Sequence, residues 1–477
     1  MATEKDSSPD KLKLKTEVGL LGGVSLIAGV MVGSGIFMSP QYVLIYIGSP
    51  GASLLIWAAS GLLAMLASLC YAELGTVIRE SGGEYIYILR TSGNIMAFIC
   101  AFTNNIVLRP TSMIAVALIF AQNALTPFYD DCPPPNGAVK CLAALGIMVL
   151  TVVNCFNVRS SITVTVIFTA MKVLALIIIM IGGVVLLIQG DTSNNLQNFF
   201  EGTKLSIRPM GIAFYQCLWS YDGWNTLNYV TEEINHPEIK SSVNLPRALM
   251  IAIPMVTMLY LLVNVSYLVV MTPTEMISSS AVAVTWGNKV LGGWGWVMSI
   301  AAALSAFGSL NGSFFSGGRV CYVAAREGHM PDILAMAHMC RLTPSPALIF
   351  NTIIALIVLI PGDFQALVNY FSFAAWFFYG ITVSGLNKLT FNHCLSIYPF
   401  KVPIIIPILV LLAAVFLVLA PIIDDPQIEY LYVTLFMLSS IVIYIPFIHL
   451  KLFPGLLNKL TVFLQLFLEV APTAKNL

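Results

Sequence analysis

Twelve stretches of this chain are each apolar over about the twenty residues that a helix needs to cross roughly 30 Å of hydrocarbon. They run over residues 18 to 46, 52 to 78, 94 to 123, 138 to 157, 161 to 189, 208 to 231, 247 to 271, 293 to 322, 345 to 361, 365 to 387, 402 to 422 and 428 to 450. In lipid, backbone polar groups must be satisfied within a helix or by closure of a barrel. A barrel would read as short alternating strands, not as continuous apolar runs. The sequence therefore predicts an all-α membrane protein. Its composition, 58% hydrophobic and 10% charged, fits that class, since soluble domains carry about a quarter charged residues. A net charge of zero gives no pointer to nucleic acid.

The short loops predict one bundle over residues 18–450. Residues 1–17 lack the apolar core and cleavage site of a signal peptide and read as a cytosolic tail. In the second tail, 451–477, LFPGLLNKLTVFLQLFLEVAP has helical apolar spacing and fits either an interfacial helix or a frayed end. Of the 23 Lys and Arg residues, 17 fall on the side of the termini, among them Lys11, Arg79, Arg159, Arg326 and Lys388. Only Lys140, Lys204, Arg208 and Lys289 fall on the other. The bias predicts that both termini are cytoplasmic. Arg109 and Lys172 remain at membrane depth.

The first and sixth runs share small, backbone-freeing residues at their middles, VGSGIF (32–37) and YDGWN (221–225). One such site alone reads as close helix packing. Two, at matching places in five-span halves, point to a transporter site at the bilayer midplane. There the N–H groups of Gly33, Ser34, Gly35 and Ile36 would hold a carboxylate, and the carbonyls of residues 217–221 an ammonium. An amino acid carries both groups.

Asp222 needs a separate reason, because a carboxylate at a helix centre costs at least about 2.5 to 3.5 kcal/mol. It reads either as the counter-charge for a cationic substrate side chain or as half of a salt bridge to Arg109 or Lys172. Trp219, Tyr221 and Trp224 surround it. One of them would close over substrate, or all three simply pack. Lys172 would stand where a sodium ion otherwise bridges helices, or pair with a carboxylate. Arg109, just before Pro110, marks either a helix break or a pore-lining charge.

Nine cysteines contain no CxxC pair. Cys132, in the loop FYDDCPPPNG, suits a disulfide, either to Cys141 or to a partner chain. The sequons at Asn264 and Asn311 fall within spans, so no N-glycan is expected there. His236, His329, His338, His393 and His449 read as solvated loop or helix-end residues. No HExxH, Walker loop or GxSxG elbow occurs, so neither an enzyme nor a cofactor or metal site is expected. An ion channel remains the rival class, although no filter repeat or ring of charge is visible.

Six motifs together identify a family: GVMVGSGIFMSP, CYAELGTVI with SGGEYIY, LWSYDGWNTLNYVTEE, FGSLNGSFFSGGRVCYVAAREGHMP and NYFSFAAWFFYG. Over essentially its full length the chain resembles the light subunits of heteromeric amino acid transporters, within the amino acid, polyamine and organocation superfamily. It looks most like the b-zero-plus branch, which exchanges cystine and cationic amino acids, or relatives preferring aromatic ones. The resemblance implies a leucine-transporter-like fold of twelve helices, with inverted five-helix repeats and two additional helices. It implies substrate contacts at Ser34, Gly35, Ile36, Trp219, Tyr221, Asp222 and Asn225, with Trp219 as the gate. Lys172 matches the lysine that replaces sodium, and Cys132 the cysteine linked to a single-pass glycosylated heavy chain in the plasma membrane. Neutral-preferring relatives have a small residue where Asp222 stands. The loop INHPEIKSSVNLPRA departs from the family by its greater length.

Overall fold

The computed structural model describes residues 20–78, 80–129, 132–156, 158–190, 198–233, 241–279, 281–339, 341, 343–392, 400–423, 428–450 and 454–472. Its helices, in chain order, are α1 Leu20–Met31, α2 Ser39–Ile47, α3 Pro50–Val77, α4 Glu84–Ser92, α5 Asn94–Thr103, α6 Arg109–Leu125, α7 Asn136–Phe156, α8 Val158–Gln189 and α9 Ile207–Ser220. There follow α10 Ser241–Val270, α11 Pro273–Ser278, α12 Val282–Leu291, α13 Trp296–Arg326, α14 Ser345–Leu359, α15 Phe364–Asn392, α16 Ile405–Ile423, α17 Ile428–Tyr444 and α18 Pro454–Leu468. The architecture is that of an all-α membrane protein.

Among the described residues, nine helices are long and apolar enough to cross a membrane by themselves, counting α5 and α6 as one through the π-turn Asn104–Leu108. A tenth span is the bent pair α1 and α2, which meet at 60°. Helix α9, at 14 residues, and α14, at 15, fall short of the span length that their apolar runs predicted. For α9 the cause is local. The helix ends at Ser220, and the chain turns through Gly223 at φ +101°, a backbone conformation that disfavours side chains, before the 3-10 turn Thr226–Glu233.

Helix α1 stops at Met31 for a related reason. The Val32 to Gly35 segment leaves the helix, the 3-10 turn Gly35–Phe37 follows, and Pro40 then suits the first turn of α2. Elsewhere small residues let helices approach closely. A Cβ on Gly61 of α3 would lie 2.5 Å from the Thr257 side chain of α10, and one on Gly183 of α8 would lie 2.3 Å from Ser266 Oγ. The most extensive helix pairings are those of α13 with α6 and α8, and of α10 with α3 and α1.

Helix α17 lies at the periphery, with only 11% of its apolar window buried and side chains such as Leu435 and Leu438 exposed, as expected against lipid. Short strands β1, Met336–His338, and β2, Val470–Pro472, pair antiparallel and tie the segment after α18 to the loop after α13. Of the expected 234–248 loop, residues 234–240 fall outside the described residues, as do His236 and His393, whereas residues 241–248 are not loop but the first two turns of α10.

Candidate functional site

The two interruptions pack against each other. A Cβ on Gly35 would come within 2.5 Å of Ser220 Oγ, and one on Gly223 within 2.5 Å of Val30 Cγ1. Only glycine permits backbones this close. The Tyr260 hydroxyl of α10 lies 2.5 Å from the Met31 carbonyl oxygen and 2.9 Å from that of Ser220, so it serves the freed carbonyls of both breaks. The N–H of Ser34 meets no backbone acceptor among the described residues, and Gly35 and Ile36 head a short turn whose first N–H groups lack intrahelical partners.

Beside the breaks lies a cavity that leaves about 40 Å³ for the centres of water-sized molecules. A single water needs about 10 to 15 Å³ by that measure, so a few fit, whereas a whole amino acid requires side chains to move. Asp222, Gly223, Asn225, Thr226 and Tyr229 line it from the sixth run, with Val30 from the first. Glu84, Arg109, Ser313, Ser316 and the aromatic side chains of Phe371, Phe378 and Tyr379 complete the wall.

Asp222 and Asn225 thus face one space, as proposed substrate contacts must. Gly33, Ser34, Gly35 and Ile36 do not line it. All four are buried, and from the first run Val30 alone lines the cavity. Tyr221 points elsewhere: its hydroxyl donates to the Trp57 carbonyl at 3.1 Å, and its ring packs on Tyr260 and Trp57. Its side chain has no access to the cavity in this conformation. Trp219 is buried and meets Phe371, a cavity residue, edge-on at 5.1 Å. Trp224 stacks edge-on against Tyr71 and Tyr379.

Neither alternative partner forms an ion pair with Asp222 among the described residues, although the Arg109 charge acts on it across the cavity. Arg109 turns to Glu84, with Nη2 3.9 Å from Oε1, and its guanidinium lies over the Tyr229 ring at 4.8 Å. Of the two readings of Arg109, the helix break is not found, since the π-turn Asn104–Leu108 carries α5 on into α6, whereas the side chain does line the cavity. Lys172, 1% exposed, donates to the Gly29 carbonyl at 3.2 Å and to the Ser309 hydroxyl at 2.8 Å, so it bridges α1, α8 and α13. Among the described residues it has no ion pair with a carboxylate.

Sequence reasoning missed Glu84 and Tyr229. The Tyr229 hydroxyl lies 2.8 and 2.7 Å from the two Glu84 carboxylate oxygens, and Asn225 Nδ2 donates to Tyr229 at 3.1 Å. The signal was a carboxylate placed directly after two glycines in SGGEYIY, since Gly82 and Gly83 both adopt positive φ and turn the chain inward at the head of α4.

Three other expectations meet the structure directly. Cys132 and Cys141 are both exposed and both free, so the intrachain bridge is not formed; Cys340 and Cys394 lie outside the described residues. His329 is not solvated: it is 5% exposed, and its Nδ1 lies 2.8 Å from the Tyr85 hydroxyl, because Gly328 folds the end of α13 back under α4. Asn264 and Asn311 are buried and hydrogen-bonded, to the Tyr260 carbonyl and to Asn154 respectively.

Comparison with known proteins adds the family. Residues 18–447 match the amino acid permease family. The chain is 48% identical over 476 residues to the b(0,+)-type amino acid transporter 1 of Homo sapiens, covering 99% of this chain and 96% of that protein. The Mus musculus protein of the same name is likewise 48% identical, at 99% and 97% coverage. The large neutral amino acids transporter small subunit 2 of Homo sapiens is 41% identical over 89% of this chain and 80% of its own.

Proposed function

The chain belongs to the amino acid permease family, and from that premise we propose that it is a sodium-independent exchanger trading cationic amino acids and cystine for neutral amino acids. The observation that carries the cationic preference is Asp222: it faces the cavity between the interrupted segments and, among the described residues, has no ion pair. A cationic side chain entering that space would supply the missing charge. The b(0,+)-type name of two relatives and the permease match support amino acid exchange as the activity.

In this reading the bundle has twelve spans in an inverted 5+5 arrangement with two more, and both termini are cytoplasmic. The free N–H groups at Ser34 to Ile36 receive the substrate carboxylate, and the carbonyls near Ser220 receive its ammonium. For Ser34 to Ile36 to reach substrate, α1 must tilt to bring them past Val30. That motion is compatible with the small volume of the cavity. Trp219 with Phe371 closes one side, rocking of the bundle opens the other, and return requires a second amino acid. Lys172 holds α1 against α13 by hydrogen bonds where a sodium ion would otherwise be needed. Cys132 joins a single-pass glycosylated heavy chain at the plasma membrane. The exposure of its thiol and the words "small subunit" in one relative's name support that partner.

The aromatic wall of Phe371, Phe378 and Tyr379 favours a second reading, an exchanger that prefers neutral and aromatic amino acids. One experiment separates the two. In proteoliposomes loaded with leucine, labelled arginine should enter, and Asp222→Asn should reduce arginine uptake at least about tenfold more than leucine uptake, the effect of losing a partly buried charge partner. Equal losses would favour the neutral reading. Uptake indifferent to internal amino acid would remove exchange altogether.

A further inference from the structure

Three charged side chains face the cavity, Glu84, Arg109 and Asp222, so its wall carries one negative charge in excess. They are not held alike. Glu84 is fixed, with the Tyr229 hydroxyl 2.8 and 2.7 Å from its two oxygens and Asn225 Nδ2 at 3.5 Å. Arg109 is slack. Its ion pair to Glu84 is 3.9 Å long, its hydrogen bond to Ser316 is 3.4 Å, and its buried Nε has no hydrogen-bond partner. A guanidinium has five donors, and against a carboxylate it normally closes to about 2.7 to 2.9 Å. Here a cation held only by long contacts and by the Tyr229 ring shares one space with a fixed carboxylate and with one that, among the described residues, has no ion pair.

That arrangement addresses a difficulty in carrying both charged and uncharged substrates. A lone Asp222 would be left uncompensated beside a neutral side chain, and the site would reject it. A cation locked onto Asp222 would repel arginine or lysine instead. We propose that Arg109 is the specificity-determining counter-ion of the cavity: it pairs with Asp222 when the bound side chain is uncharged and withdraws to Glu84 when that side chain is cationic. The inference rests on the reading of Asp222 as the residue that meets the substrate side chain.

The test measures KM for arginine and for leucine with the full chain in proteoliposomes. Arg109→Gln should raise the leucine KM about tenfold or more while the arginine KM stays within about threefold, the scale of a close charge pair. Glu84→Gln leaves Arg109 only Asp222 to pair with, so it should do the reverse, raising the arginine KM and sparing leucine. The double variant restores the excess of one negative charge and should return the ratio toward that of the unaltered protein. Arg109→Lys should recover leucine affinity. Parallel changes for both substrates in either single variant, or an Arg109→Lys protein that behaves like Arg109→Gln, would overturn the proposal. Should one single variant fail to fold, the other is decisive by the same criterion. Asp222→Asn is measured beside them. If it is unselective, the counter-charge reading has failed; if it is selective while the Glu84 and Arg109 variants are not, only the present inference has failed.

Discussion

The Lys172 ammonium sits 2.8 Å from the Ser309 hydroxyl oxygen, and Ser309 in turn donates to the Ser305 carbonyl, so a positive charge is seated by neutral oxygens alone. With the Gly29 carbonyl this is the kind of oxygen set that a monovalent cation would use. Transport should therefore be unchanged when choline replaces sodium. Lys172→Ala leaves buried acceptors unserved, at about 1 to 3 kcal/mol each, and should lower exchange severely in either salt. A large loss on removing sodium from the unaltered protein would contradict the role given to Lys172.

A second prediction concerns the contact between the two breaks. A Cβ at residue 35 would lie 2.5 to 2.9 Å from three atoms of Ser220, one of them main-chain Cα. Backbone cannot step aside as a flexible side chain can. Gly35→Val should lower thermal stability in detergent by about 1 to 3 kcal/mol, the usual cost of overpacking, and abolish uptake. Gly93, where a Cβ would meet nothing within 4 Å beyond its own chain neighbours, is the control by space, although its φ of +92° carries a backbone strain of its own. If Gly35→Val transports normally, the breaks do not meet as described.

Trp219 and Phe371 form an edge-on pair at 5.1 Å beside the cavity. Such pairs contribute about 0.5 to 1.5 kcal/mol beyond area. Trp219→Ala should reduce exchange by tenfold or more, on the order of the lost closure energy, whereas Trp219→Phe should keep a substantial part. Equal activity of the Ala variant and the unaltered protein in an efflux assay would leave Trp219 as packing.

The exposed Cys132 thiol carries the partner prediction. Cys132→Ser should abolish a high-mass band on gels run without reductant from cells that express the chain. Cys141→Ser should leave it in place. Persistence of the band in the Cys132 variant would assign the link to another cysteine.

How much of this was legible beforehand depends on the range of the contact. Interruptions of the first and sixth runs follow from local chemistry, since Gly33, Gly35 and Gly223 act on their own backbone, and the sequence displays them. The depth of Lys172 is also a local property of an apolar run, whereas the sequence left a salt bridge from Asp222 to Arg109 or Lys172 open, because a partner on another helix is not local. Glu84, Arg109 and Tyr229 are separated by up to 145 positions and meet only through packing, so no spacing rule announces them. Direction was equally hidden. Tyr221 and Asp222 are adjacent, yet one reaches Trp57 and the other the cavity, because a turn, unlike a helix, has no fixed angle between successive side chains. Helices α9 and α14 are shorter than their apolar runs because hydropathy measures the run and not where the backbone leaves the helix.

Tyr260 gives the two interruptions a common mechanical fate. Its phenol has one proton to offer, and the Met31 oxygen at 2.5 Å and the Ser220 oxygen at 2.9 Å both lie within reach of it. When one half-helix swings away, the bond passes to the other instead of being lost to hydrocarbon. A single hydroxyl thereby ties the end of α1 to the end of α9 at mid-depth.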